Sequence, residues 1–372
     1  MGWLVDPSDA RTGMKVNVKT KESAQGSVLV GRAALPDRRR PRLLKALYLL
    51  DESSWPRIYG PNEQREIAEL VDICGPPLSR DVLPKYLDRL AEVEVILSGW
   101  HAPVMDEAFL AAAPKLRAVF YGAGSTRYFT TDAFWERDIV LSSAAAANAI
   151  PVAEFTQSVV VLSLKHFWRY AVQAKNNGAW DPTRLIPGCY RRTVGLISLG
   201  MIGRLVRERL RQLDLEVVAY DPYLKAAEAA RMNIRLVSLE QLFQEADVVS
   251  LHSPWLKETE GMLTGKHFAS MKQGATFINT ARGAVVRETE MCEVLRVRPD
   301  LTAVLDVTHP QPPAPDSPLL SLPNVVLTPH IAGSMGTEIN RLGQCMVEEL
   351  RRYLAKEPLR WRITREAASV LA

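Results

Sequence analysis

The chain has 372 residues, 47% apolar and 24% charged, with a formal net charge of +4. This length predicts two domains or one large one with a real core, and the composition is that of an ordinary soluble globular protein. The first 45 residues hold ten Lys/Arg against four Asp/Glu, so the remainder is near −2 and no nucleic-acid footprint spreads over the folded part. No apolar run approaches transmembrane length, and the N-terminus lacks a signal-peptide pattern. Cys74, Cys189, Cys292 and Cys345 are widely spaced with no CxxC, which predicts reduced core thiols and no metal site. The expected location is the cytoplasm, with neither nucleic acid nor membrane as partner.

Residues 1–42 carry KVNVKTKESAQGS and PDRRRPR with little periodicity and are expected to be an extension. Residues 43–50 read as a strand, 63–71 as helix, 93–98 as strand and 105–112 as helix. Residues 115–120 are a strand ending on Tyr121-Gly122-Ala123-Gly124-Ser125, and 138–142 another. This alternation predicts a small parallel α/β unit. A small-residue loop over 144–150 precedes a helix opened by Pro151 and Glu154. Its run 159–162 is apolar around the whole cylinder, so it should be buried, within the domain or between subunits.

Residues 193–221 then give a strand, a sharp turn through Ser198, Gly200 and Gly203, a helix, and a strand ending on Asp221. The order is that of a dinucleotide site. Gly200 lets a pyrophosphate approach the backbone, Gly203 lets helix and strand pack, and the helix N-terminus faces the phosphate charge. Asp221 can accept a ribose 2′-hydroxyl, which favours NAD over NADP. Ser238 to Gln241 is a capping-box start. Strands at 248–251, 275–279, 302–305 and 325–328 follow, with helices near 265–271 and 288–295, and residues 337–354 are a helix that can cross back to the first domain.

Four strand ends in this half carry polar residues: His252, Arg282, Asp306 and His330. Such ends share one crevice in an open α/β sheet. A guanidinium for an anion, a histidine titrating near neutrality and a nicotinamide site together predict hydride transfer with proton relay. His101, His166 and His267 are read as structural.

These segments also carry a resemblance. GLISLGMIG, the acid of YDP, LHSPWLKET, MKQGATFINTARG, LDV and NVVLTPHIAG make residues 43–355 similar to the D-isomer-specific 2-hydroxyacid dehydrogenases. The resemblance implies two Rossmann-like or flavodoxin-like parallel-sheet domains separated by a cleft. The substrate domain would be discontinuous, 43–145 plus 337–372, with the NAD-binding domain 146–336 inserted between its parts. It implies NAD, a small 2-oxo or 2-hydroxy acid as substrate, and a homodimer through the NAD domain. By motif match, Arg282 would clamp the substrate carboxylate and carbonyl oxygen, and His330 would be the acid/base. Backbone N–H groups of Ala123 and Gly124 would hold the carboxylate, with Trp100 and Asn148 also at the substrate, and Asp306 would bind the nicotinamide amide. The other cofactor positions would be Gly200, Met201, Ile202, Gly203, Asp221, His252, Pro254, Thr259, Thr280, Ala281, His330 and Gly333.

One departure bears on chemistry. The family usually places a glutamate, paired with the histidine, where this chain has Gln311. An amide stabilises imidazolium far less than a carboxylate does, so a lower His330 pKa and an altered pH profile are predicted. NAD-dependent formate dehydrogenases also resemble the chain here, with a glutamine–histidine pair and an asparagine before VAE, as Asn148 stands before Val152-Ala153-Glu154. Against that reading, Trp100 and His101 suit a bulkier acid. A nucleotide-sensing, corepressor-like binding protein is the third reading, and it would need neither Arg282 nor His330.

Overall fold

The computed structural model describes residues 42–177 and 186–370; the arm over 1–41, with its Arg38-Arg39-Arg40 run, lies outside them. The strands are β1 (Lys45–Leu49), β2 (Asp72–Ile73), β3 (Val95–Ser98), β4 (Ala118–Tyr121), β5 (Val140–Ser143), β6 (Arg192–Ile197), β7 (Leu215–Tyr220), β8 (Arg235–Leu236), β9 (Val248–Leu251), β10 (Thr276–Asn279), β11 (Thr302–Leu305), β12 (Val325–Leu327) and β13 (Arg362–Ile363). They form two sheets, ordered β13-β5-β4-β3-β1-β2 and β12-β11-β10-β9-β6-β7-β8. Every pairing is parallel except β13 on β5.

Helices cover both faces of each sheet, so the central strands are buried on both sides and read as continuous apolar runs: VILS, AVFY, VVSL, TFIN. Each sheet accordingly has two cores. Leu47, Ile96, Val119 and Phe129 pack on one side of the first, and Tyr48, Tyr59, Phe120 and Met346 on the other. In the second, Phe243, Phe268 and Phe277 oppose Val160, Leu196 and Val206. In this second sheet the strand order reverses between β6 and β9, which opens a crevice at the strands' carboxyl ends, where the glycine turn sits.

Three expectations change. The stretch 144–150 is not a loop: the helix runs Ala145–Leu164 with Pro151 inside it. Alanines at 145, 146, 147 and 149 are the best helix formers, and they carry the helix through the one hydrogen bond that proline removes. This helix is also long enough and, at a mean hydropathy of 1.3, apolar enough to cross a membrane, contrary to the reading of the sequence. Its inner face packs instead on the helix Met201–Leu210 and on β9 and β10, with Val159, Val160 and Leu164 buried. Finally, of the four free cysteines only Cys292 is buried, the others being half-exposed.

The tail helix Asn340–Leu354 does return to the first sheet, packing on the helix Pro61–Leu70 and on β4 and β5. Gly343 makes this possible, since a Cβ there would stand 1.9 Å from the Ile58 carbonyl oxygen. Behind it the buried Glu349 accepts from the Ser142 hydroxyl at 2.9 Å and from the Arg360 and Trp361 amides at 3.0 Å each. That carboxylate fixes the segment leading into β13.

Candidate active site

The turn after β6 is shaped by backbone demands. Ser198 stands at the first glycine position with φ +72°, the left-handed form that glycine favours, and its hydroxyl lies 2.6 Å from that of Ser253. Gly203 brings the helix onto the turn: a Cβ there would lie 2.2 Å from the Ser198 carbonyl oxygen. Gly200, the N-cap of that helix, faces open space, with nothing within 4 Å of an added Cβ. Met201 follows it, exposed, and Ile202 packs into the core. Asp221 ties the turn to the end of β7, accepting from the Leu199 amide at 2.7 Å on one oxygen and from Tyr223 and Leu224 at 2.8 and 3.0 Å on the other. One lone pair of the first oxygen remains for a ribose hydroxyl.

His252 lies beside this turn, its amide bonded to the Ile197 carbonyl. It is 7% exposed, and burial pushes its pKa down to about 4, so the ring is neutral. Nε2 meets the Ser250 hydroxyl at 3.0 Å, while the buried Nδ1 has no partner among the described residues. An open helix N-terminus, an acid with one free lone pair and an orphaned ring nitrogen fit a dinucleotide.

Other expected cofactor positions hold their own loops. The Thr259 hydroxyl donates to the Pro254 carbonyl at 2.6 Å and accepts from the Leu256 amide at 2.9 Å. Thr280 meets Thr156 of the long helix at 3.2 Å, and the Ala281 amide donates to Asn279 Oδ1 at 3.0 Å. Asp306, 2% exposed, accepts from the Thr328 hydroxyl and from the Ile331 and Ala332 amides at 2.6, 2.8 and 2.9 Å. These bonds wrap the chain around His330, whose φ is +56° and whose amide donates to the Asp306 and Thr328 carbonyls. Gly333 lies on the Asn148 side chain, and Asn148 Oδ1 accepts from the Ser334 amide at 2.9 Å.

Arg282 has no carboxylate partner among the described residues; its one side-chain bond is 2.6 Å to the Ala281 carbonyl. Burial lowers its pKa, yet a guanidinium stays charged. It lines a cavity of about 530 Å³ with Ser125, Arg127, Tyr128 and Trp255. In the loop that leads to Ser125, the Ser143 hydroxyl lies 2.9 and 2.7 Å from the Ala123 and Gly124 carbonyls, drawing both to one side. The Ala123 and Gly124 amides find no acceptor among the described residues, and space in front of Gly124 is open. Arg127 donates to the Trp255 carbonyl at 2.6 Å, joining the two walls.

His330 opens into a second cavity of about 420 Å³, lined also by Asp51, Arg57, Trp100, His101 and Asn148. Its Nδ1 is 2.9 Å from Gln311 Nε2. Burial first, and then the Arg282 guanidinium, hold the His330 pKa below its ordinary value, while Asp306 pulls the other way. The Gln311 loop rests on the arginine turn, because a Cβ on Gly283 would stand 2.1 Å from the Thr308 carbonyl carbon. Glu288 accepts from the His309 amide at 2.7 Å and is pushed up to about 7 by burial. Glu288, Ser143 and Arg57 were not singled out from the sequence, since no motif marks them.

A sequence profile described as "D-isomer specific 2-hydroxyacid dehydrogenase, NAD binding domain" matches residues 158–332. An (S)-sulfolactate dehydrogenase of Chromohalobacter salexigens is 33% identical over 253 residues, 67% of this chain and 81% of that protein. The chain belongs to the D-isomer-specific 2-hydroxyacid dehydrogenase family and carries its NAD-binding domain. A D-3-phosphoglycerate dehydrogenase of Archaeoglobus fulgidus is 31% identical over 257 residues, 69% of this chain and 49% of the relative. The chain thus spans about half the length of the phosphoglycerate dehydrogenases it matches. Among solved structures, a Thermus thermophilus protein gives a TM-score of 0.67 at 27% identity, covering 86% of this family member and all of that chain. Membership in this family does not favour the formate-type or sensor readings.

Proposed function

We propose that the protein interconverts a D-2-hydroxy acid and its 2-oxo acid, with NAD as redox partner. The observation that carries this reading is the pair of Ala123 and Gly124 amides and an Arg282 fork that, among the described residues, have neither acceptor nor carboxylate partner, with His330 close enough to Arg282 for the guanidinium to lower its pKa. The amides and the guanidinium bind the substrate carboxylate, and Arg282 also polarises the carbonyl oxygen. NADH bound along the glycine turn supplies the hydride. His330, protonated, gives its proton to the oxygen that becomes the hydroxyl; in the oxidative direction the neutral ring takes it back. Gln311 holds the ring from Nδ1, leaving Nε2 as the working nitrogen.

Asp221 favours NAD over NADP in this reading, because a carboxylate repels a 2′-phosphate. We assign residues 43–145 plus 337–372 to the substrate domain and 146–336 to the NAD domain, and expect a cytoplasmic homodimer joined through the NAD domain. NADH oxidation at 340 nm with glyoxylate, pyruvate and longer 2-oxo acids tests the reaction. Turnover abolished in His330→Asn, with NADH binding kept, is the expected result. Turnover of formate with NAD, and of no 2-oxo acid, would refute it.

A further inference from the structure

His330 borders two cavities, one of about 410 Å³ shared with Asp306 and Gln311 and one of about 420 Å³ shared with Asp51, Arg57 and Trp100; in the dehydrogenase reading the substituent beyond the reacting carbon enters the second. That volume lies within the range of small-molecule pockets and exceeds what glyoxylate or pyruvate needs. The walls carry two permanent charges, Asp51 and Arg57. They differ in what already satisfies them. The Asp51 carboxylate accepts from the Ser53 and Ser54 hydroxyls at 2.5 and 3.2 Å, and these bonds hold it below the usual carboxylate range. Arg57 has no acid within ion-pair distance among the described residues, and its guanidinium lies 5.8 Å from the centre of the Trp100 ring. His101 stands next to Trp100 with φ +62° and lines the same wall.

We propose that this cavity binds a second acidic group on the substrate, a carboxylate, sulfonate or phosphate two or three atoms from the reacting carbon, and that Arg57 is the side chain that pairs with it. An apolar substituent would strip water from a guanidinium and give nothing in exchange. A cationic one would need an aspartate already occupied by two hydroxyls. An acid uses the fork of Arg57, which stacking on Trp100 restrains, and the Ser334 hydroxyl, which has no partner among the described residues and lines the same cavity, can donate to another of its oxygens. The inference rests on the dehydrogenase reading only for the direction in which the substituent points.

The test compares acids of matched length on the purified full chain: oxaloacetate, sulfopyruvate and 3-phosphonooxypyruvate against 2-oxobutanoate, with wild type, Arg57→Gln and Arg57→Lys. At least one acidic substrate is expected to exceed 2-oxobutanoate in kcat/KM by about 10- to 100-fold, the scale of a charge-assisted pair. Arg57→Gln should collapse that ratio, mainly through KM, and Arg57→Lys should restore part of it. Which of the three acids is preferred identifies the group. Equal or better turnover of 2-oxobutanoate, or an equal loss for both classes in Arg57→Gln, overturns the proposal. If no 2-oxo acid turns over, the dehydrogenase reading fails and calorimetry decides this one separately. D-malate bound by the NAD-saturated wild type and lost in Arg57→Gln upholds the role of Arg57; equal binding by both, or none by either, overturns it.

Discussion

Replacing Gln311 by glutamate tests how the site sets its working pH. The two side chains are nearly isosteric, and Gln311 Nε2 stands 2.9 Å from His330 Nδ1. An amide serves either state of the ring, since turning it over presents oxygen to a protonated Nδ1 and nitrogen to a bare one. A carboxylate serves only a ring with a proton on Nδ1, and its charge favours the imidazolium. Opposite charges whose centres lie about 4 Å apart are worth about 4 kcal/mol at an effective dielectric of 20 and about 1 kcal/mol in water. His330 opens to solvent, so a rise of roughly 1–2 pH units is expected, each unit being about 1.4 kcal/mol. Reduction requires the imidazolium, so the rate falls as pH rises through the His330 pKa. In the wild type that limb lies below the ordinary histidine value, because burial and Arg282 lower the pKa. In Gln311→Glu the alkaline limb of kcat/KM for 2-oxo acid reduction should move up by those 1–2 units, and in Gln311→Met it should not. A folded Gln311→Glu protein with an unmoved limb would refute the argument.

Ser198→Gly should relieve a left-handed serine, worth about 1 kcal/mol, but it also removes the contact with Ser253; thermal unfolding should show a net change below about 1 kcal/mol with NADH affinity kept. Glu349→Gln loses one acceptor oxygen among three donors in a buried site, and a loss of about 2 kcal/mol in urea unfolding is expected. His252 and Glu288 act oppositely across one pH window. His252 has its folded pKa depressed to about 4, so the unfolded chain binds the extra proton and stability falls as pH drops from 6.5 towards 4, by roughly 3 kcal/mol. Glu288 has its folded pKa raised to about 7, so its cost grows as pH rises from 4.5 to 7 and persists above. Glu288→Gln keeps an acceptor for the His309 amide; it should stabilise by roughly 1–2 kcal/mol at pH 8, a figure reduced for partial exposure, and not at pH 5. Chemical denaturation at both pH values reads this, and a gain of the same size at pH 5 would contradict the assignment.

Most of the fold was legible because its signals are local. The capping box at Ser238–Gln241 and the strands Val248–Leu251 and Thr302–Leu305 appear where their patterns place them. What escaped depends on partners distant in the chain. β2, β8 and β13 are two-residue edge strands whose identity comes from the neighbour they pair with. The long helix starts earlier than its pattern suggests because Pro151 resembles a first-turn proline until its alanine-rich approach is weighed. In the site, motif residues were visible, but Arg57 and Glu288 were not: each gains its place from a cavity or loop more than twenty residues away.

The residues that motif reading places around the ligands bind, in large part, each other's loops. Asp306 spends three acceptor sites on the turn that carries His330, Asn148 holds the strand of chain just beyond it, and Asn279 accepts from the Ala281 amide and donates to the Arg282 carbonyl at 3.1 Å. Arg282 and His330 themselves make few bonds, and those few fix backbone or one ring face. A catalytic group must present unsatisfied hydrogen-bonding capacity to its substrate, and the cost of that capacity falls on the surrounding shell, which must hold the group without occupying it. The left-handed backbone at His330 is where this is most visible, since the strain of that one residue is opposed by the Asp306 clasp on either side of it. Weakening the clasp should therefore lower kcat more than it lowers NADH affinity. Asp306→Asn, which replaces one acceptor oxygen by a donor that must face an amide donor, Ile331 or Ala332, is the substitution that separates the two.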